Sequence, residues 1–329
     1  MADPSRPSPG SARRLGGGGL RGLAAGSVVA LAVFAASSGP SPARAQSLEP
    51  RSYSNAPVGT SFVIGGVIVT QGGLAIDPAV PLTEPDLETT SGVVGYARFI
   101  DFWGKSAKFD VVAPYTFLSG TALFNGDPVE REISGLADPA FRLSVNLYGA
   151  PALSAEEFKG YRQELIFGAS LQVTAPLGQY DETRLVNIGM NRWTFRPELG
   201  VSRAVDAWTF EVKAAATLFT DNDDFNRGQT REQEPIYSAS GHVIYNFPRA
   251  RWASLDVNYF TGGRTTIAGT RKQDLQRNWR VGATYAFPVN VQNSIKLYAS
   301  SGVSDRTGNS YDLLGIAWQY RWHGRTRSG

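Results

Sequence analysis

From residue 60 to residue 322 the dominant pattern is strict alternation of apolar and polar side chains. Phe109, Val111, Ala113, Tyr115 and Phe117 share one face of the stretch that begins at Lys108. Trp279, Val281, Ala283, Tyr285 and Phe287 share a face farther on, with Asn278, Arg280, Gly282 and Thr284 opposite. Period two places neighbouring side chains on opposite sides of an extended chain, so these stretches predict strands with one apolar and one polar face. After Ala45 no run of apolar residues reaches the roughly 18 to 20 that a spanning helix needs, and none keeps helical spacing over three turns.

About twelve such stretches can be counted. They lie near 60–70, 89–103, 106–118, 138–149, 161–176, 187–202, 206–219, 235–247, 251–262, 277–287, 293–304 and 311–322. Several exceed ten residues, longer than the ordinary strand of about five or six. Alternate connections are long or polar, among them QGGLAIDPAVPLTEPDLE, SGTALFNGDPVEREISGL and DNDDFNRGQTREQEP. Those between are brief: Gly104-Lys105, Ala204-Val205, Pro248 to Ala250 and Pro288 to Gln292, with GAPALSAEEFKG the exception. An even strand number with long loops on one side and tight turns on the other predicts an all-β fold, a transmembrane antiparallel barrel over 60–322. In lipid a sheet must close, because an unpaired edge has no water to bond.

A secreted β-sandwich would alternate too, but it hides its apolar face between sheets. Here all seven tryptophans, Trp103, Trp193, Trp208, Trp252, Trp279, Trp318 and Trp322, fall in the predicted strands, most near an end, as interfacial girdles require. With apolar faces toward lipid, the opposite faces line the lumen. These carry Glu164, Arg192, Arg196, Glu198, Glu211, Lys213, Asp256, Arg280, Lys296 and Arg321. At membrane depth such groups must face water or one another. They either pair across the wall or form a constriction that selects permeants by charge and size.

Charge and cysteine alter the picture only at the N-terminus. Residues 1–45 hold Arg6, Arg13, Arg14, Arg21 and Arg44 against Asp3, with an apolar stretch from Leu20 to Phe34 and the exit Ala43-Arg44-Ala45. This predicts a cleavable signal peptide over 1–45, hence export to a bacterial outer membrane. Without it 27 of the 32 basic and 28 of the 29 acidic residues remain, so the mature chain is near neutral and no nucleic-acid partner follows. Cysteine is absent, excluding disulfides and thiolate metal sites. Residues 46–59, polar and carrying Pro50 and Pro57, are expected as either a periplasmic segment or a partial plug tucked into the lumen, and 323–329 as a polar tail.

LEPRSYSNAPVG at 48–59, GLADPAFRLSVNLYGAP at 135–151 and GASLQVTAPLGQYD at 168–181 resemble the bacterial outer-membrane barrel family of phenol-degradation meta-pathway transporters. That family is distantly similar to long-chain fatty-acid channel barrels. The resemblance spans about 48–322 and implies passive uptake of small hydrophobic or aromatic molecules, with outer-membrane lipid and a small permeant as partners. Asn55-Ala56-Pro57 differs in order from the Asn-Pro-Ala of the fatty-acid channels, so no ligand role is carried over.

The last strand holds Gly315, Trp318, Tyr320 and Trp322, similar to the terminal signal by which the barrel-assembly machinery recognises its clients. The remaining chemistry is sparse. Asp221, Asp223, Asp224, Glu232 and Glu234 crowd one loop, but no Gly stands at the sixth position of a calcium loop, so no metal site is expected. Asp138-Pro139 predicts a turn. His242 shares a polar face with Ser238, Ser240 and Asn246, a wall residue rather than the lipid-accessible base of a hydrolase. No enzyme activity and no cofactor are expected. A purely structural barrel and an outer-membrane hydrolase are the alternatives.

Overall fold

A computed structural model describes residues 48–72, 82–124, 126–304 and 311–324. The predicted signal peptide, Gln46, and the end of the tail lie outside them. The elements that build the wall are β1 (Thr60–Gly72), β2 (Leu82–Phe102), β3 (Lys105–Phe124), β4 (Asp127–Leu136), β5 (Ala140–Tyr148), β6 (Leu165–Thr174), β7 (Thr194–Val205) and β8 (Trp208–Phe219). Two short strands follow, β9 (Asn222–Phe225) and β10 (Gln229–Gln233), then β11 (Ile236–Phe247) and β12 (Arg251–Gly262). Another short pair, β13 (Thr265–Ile267) and β14 (Thr270–Arg271), precedes β15 (Gln276–Pro288), β16 (Asn293–Ser304) and β17 (Tyr311–His323).

Every wall strand is antiparallel to its neighbours, and β1 pairs with both β2 and β17, from Thr60↔His323 to Gly72↔Tyr311, which closes the ring. β4 pairs with the outer half of β3 and β5 with its inner half, so the two form one wall strand broken at 137–139. The result is a closed barrel of 12 strands. Closure leaves no edge unpaired, the condition for a sheet in hydrocarbon.

The burial pattern is inside out. Large apolar residues face outward, with Leu255 70 % and Val212 65 % exposed, while the charged side chains between them point in, Glu211 and Arg280 each at 2 %. That distribution is stable only if lipid covers the outside. Rings gather at the turn end, where Trp208, Tyr245 and Phe247 pack in sequence, and Trp318, Tyr320 and Trp322 stack on one another. Trp318 also donates from Nε1 to Asn293 Oδ1 at 2.9 Å. Replacing it by Asp puts a carboxylate on the outer face and removes the ring, so Trp318→Asp is expected to abolish the heat-modifiable folded band of the membrane fraction.

Several expectations need correction. SGTALFNGDPVEREISGL is mostly a hairpin of β3 and β4 that extends the wall, because its residues complete the ladder and satisfy backbone groups there. Asp206 and Ala207, rather than Ala204-Val205, form the β7–β8 turn, with Asp206 at φ 52°. Trp103 lies in a turn and is 87 % exposed, and Trp193 precedes β7. Trp252 points inward against Ile244 and Ala286 and takes no part in the girdle. Asp138 does sit at a strand break, but it is buried and functional in the fold: Oδ1 accepts from Gly178 N and Oδ2 from Met190 N, both at 2.8 Å. It thereby pins the 175–193 loop against the gap. The predicted tail begins a residue too early, since His323 still pairs with Thr60.

Candidate functional site: the lumen

The segment that precedes β1 lies against the inner face of the wall, where its side chains bond inward-facing residues of β5, β7 and β8. Glu49 accepts from both terminal nitrogens of Arg142 at 2.6 and 2.7 Å, and Arg142 Nε also donates to Asp110 at 3.3 Å. Lys213 Nζ donates to the Glu49 carbonyl at 2.7 Å and to Ser52 Oγ at 2.9 Å. Arg51 N donates to Glu211 Oε2 at 2.6 Å, and the Arg51 guanidinium reaches Asn246 and lies over the Trp252 ring. Burial alone would raise the Glu49 carboxyl, but the Arg142 guanidinium, helped by Lys108 and Lys213, holds it well below the usual carboxylate range. The latch therefore stays charged across the ordinary pH range.

Tyr53 is the largest side chain the segment sets against the wall. Its hydroxyl donates to Glu198 Oε1 at 3.1 Å, and its ring lies flat on Gly168 of β6 and Gly200 of β7, which are register partners. A Cβ at Gly168 or Gly200 would stand 2.1 or 2.2 Å from a ring carbon, so neither wall position can carry a side chain while Tyr53 is seated. Gly200→Val is expected to unseat the ring, raising conductance in planar bilayers while the barrel still folds. Unchanged conductance would show that Tyr53 does not restrict the lumen. At the turn end, Asn55 Nδ2 donates to Pro151 O at 3.1 Å and Val58 N to Leu153 O at 2.9 Å, docking the segment on the 149–164 connection.

The predicted lumen residues divide. Arg196 and Glu198 pair at 3.1 Å on the inner face of β7, and Glu211, Lys213, Asp256, Arg280 and Lys296 are all buried inside. Arg192 is buried as well, yet precedes β7 at the loop end, where it bonds Gln233 and lies over Phe219. Two placements fail. Glu164 is exposed just before β6, and Arg321 is half-buried at the turn end, donating to Val291 O at 2.7 Å. Both follow the correct strand parity but sit too close to the rim for the lumen to enclose them.

His242 Nδ1 and Asp256 Oδ1 lie 2.7 Å apart, and Asp256 Oδ2 accepts from Ser254 Oγ at 3.0 Å. His242 Nε2 has no hydrogen-bond partner among the described residues. Gly315 has a packing role in addition to its place in the terminal pattern. A Cβ there would stand 2.2 Å from the Tyr298 ring, which covers it from β16.

What alternation did not reveal is that part of the lumen is apolar. Phe62, Ile64 and Ile68 of β1, Val93, Ala97 and Phe99 of β2, Val112 of β3 and Ala317 of β17 form one buried inner cluster with Ala56 of the plug. At the loop end Leu87, Leu118 and Tyr311 meet Phe225, Ile267 and the loop residues Leu185 and Val186. Leu313 packs against both clusters and joins them into one track. The signal was present in VIGGVIV, which is apolar at nearly every position and so on both faces.

Residues 64–320 match the profile of the family described as "Putative MetA-pathway of phenol degradation". The chain belongs to this family. Among solved structures it is similar to the COG4313 outer membrane channel from Pseudomonas putida F1, with 17 % identity over 84 % of this chain and 100 % of that one, at a TM-score of 0.70. It is also similar to the beta domain of the Bordetella autotransporter Brka, with 10 % identity over 80 % and 100 % of the two chains and a TM-score of 0.50. At these identities both likenesses speak to the barrel fold alone. No curated protein sequence matches it.

Proposed function

We propose that this barrel is an outer-membrane channel for the passive uptake of small hydrophobic or aromatic molecules. The observation that carries the reading is the apolar track, which runs inside the wall from the loop-end cluster through Leu313 to Phe62, Phe99 and Ala56. A purely structural barrel gains nothing from an apolar lumen face opposite a charged one. A channel for polar solutes would lose by it, since apolar walls disfavour a hydrated permeant. The family description, which names phenol degradation, supports the same reading, and the barrel fold shared with an outer membrane channel is compatible with it.

The test is uptake by intact cells, where the outer leaflet is the barrier. Cells displaying the chain should take up a labelled aromatic hydrocarbon faster than cells carrying the empty vector. Ile64→Asp with Ile68→Asp should remove the gain, because two carboxylates on the track are costly to desolvate beside an apolar permeant. Equal rates with and without the chain would overturn the proposal.

A further inference from the structure

We infer that Arg280 is an anion site, and that the molecule it takes is a small organic acid with an apolar body. Arg280 is 2 % exposed on the inner face of β15. Its Nε donates to Ser300 Oγ at 3.0 Å, and Nη2 to the carbonyls of Ser300 and Tyr311 at 3.2 and 2.9 Å. Nη1 is buried with no hydrogen-bond partner. No carboxylate pairs with this guanidinium among the described residues. Its register neighbours are Asn258 on β12 and Gly302 on β16, both neutral. Asp256, the next inward position along β12, is already engaged by His242, Ser254 and Thr284.

Two other deeply buried arginines, Arg142 and Arg196, differ on this point. Arg142 meets Glu49 at 2.6 Å, and Arg196 meets Glu198 at 3.1 Å. A buried cation with only neutral acceptors is poorly compensated, because carbonyls and hydroxyls replace lost hydration without cancelling the charge. A spare N–H beside such a charge is suited to a carboxylate oxygen.

The surroundings choose among anions. The guanidinium lies 3.8 Å from the centroid of the Tyr311 ring, and Tyr311 belongs to the loop-end cluster with Leu87, Leu118, Phe225 and Ile267. Arg231 stacks on Phe225 of the same cluster at 5.2 Å. Below Arg280, Leu48 of the plug packs over Gly282. The site thus stands between the loop-end cap and the plug, where the charged wall meets the apolar track. An acid placed here sets its carboxylate on Nη1 and its body along the track. That the bound acid is also a permeant rests on the channel reading above, whereas binding itself does not.

Calorimetric titration of the full chain in non-ionic detergent with sodium benzoate tests the site. Benzoate should bind, and benzyl alcohol, with the same ring and no charge, should bind about tenfold or more weakly, the ratio expected for one charge-assisted hydrogen bond. Arg280→Gln should weaken benzoate by a similar factor and Arg280→Lys by less, each with the heat-modifiable band retained. Equal affinity for benzyl alcohol, benzoate binding unchanged in folded Arg280→Gln, or displacement of benzoate by equimolar chloride would each overturn the proposal. So would absence of benzoate binding both to the full chain and to a variant lacking residues 46–57. Benzoate binding without any cellular uptake of aromatics would leave the site standing and remove only the transport reading.

Discussion

Deletion of residues 46–57 is expected to convert a barrel of low conductance into an open pore, with a severalfold rise in single-channel current in planar bilayers. The contacts of the described part of the segment supply the mechanism. Glu49, Arg51, Ser52, Tyr53 and Asn55 between them bond β5, β8, β7 and the 149–164 connection. Among the described residues none of these contacts belongs to the strand ladder, so removing them should leave closure of the sheet intact. The side chains left behind, Arg142, Lys213, Glu198 and Glu211, are polar and would be rehydrated by the water that enters. Unchanged current with a folded barrel would mean that the loop-end cap, rather than the segment, limits flow.

Arg142→Ala is expected to be the most damaging single substitution in the lumen. It takes from Glu49 and Asp110, both buried, the cation that is ion-paired with each of them, and leaves Lys108 as the remaining charge near both. Breaking a buried pair from one side costs about 3–5 kcal/mol, most of it the penalty of the charge left behind. The barrel should therefore lose its heat-modifiable band at a clearly lower temperature. A double-mutant cycle separates the contributions: in the background lacking 46–57 Glu49 is absent, so Arg142→Ala should cost measurably less, with a coupling of about 0.5–3 kcal/mol. Additive effects would show that Arg142 braces the wall through Asp110 alone.

The wall was legible residue by residue because lipid on one side and water on the other impose a period of two on every strand. That period points Phe109, Phe117, Trp279 and Leu314 outward, and they are exposed. The same rule put Glu211, Lys213, Asp256 and Arg280 inside, but it carries no height. Hence parity alone points Glu164 and Arg321 into a lumen that ends before it reaches them. The β3–β4 hairpin has the Gly, Asp and Glu content of a loop, yet its backbone completes the ladder, which composition does not report.

The sequence by itself determined that this chain closes into a barrel and which side of each strand meets lipid. Those are local consequences of alternation and of unpaired backbone having no place in hydrocarbon. Only the tertiary structure decided what fills the interior. Whether an inward charge is paired, capped by the plug or left open depends on strands far apart in the chain meeting at one height. Glu49 finds Arg142 across 93 positions and Arg51 finds Glu211 across 160, while Arg280 meets no carboxylate among the described residues. Register and closure set those meetings, and a period of two contains neither.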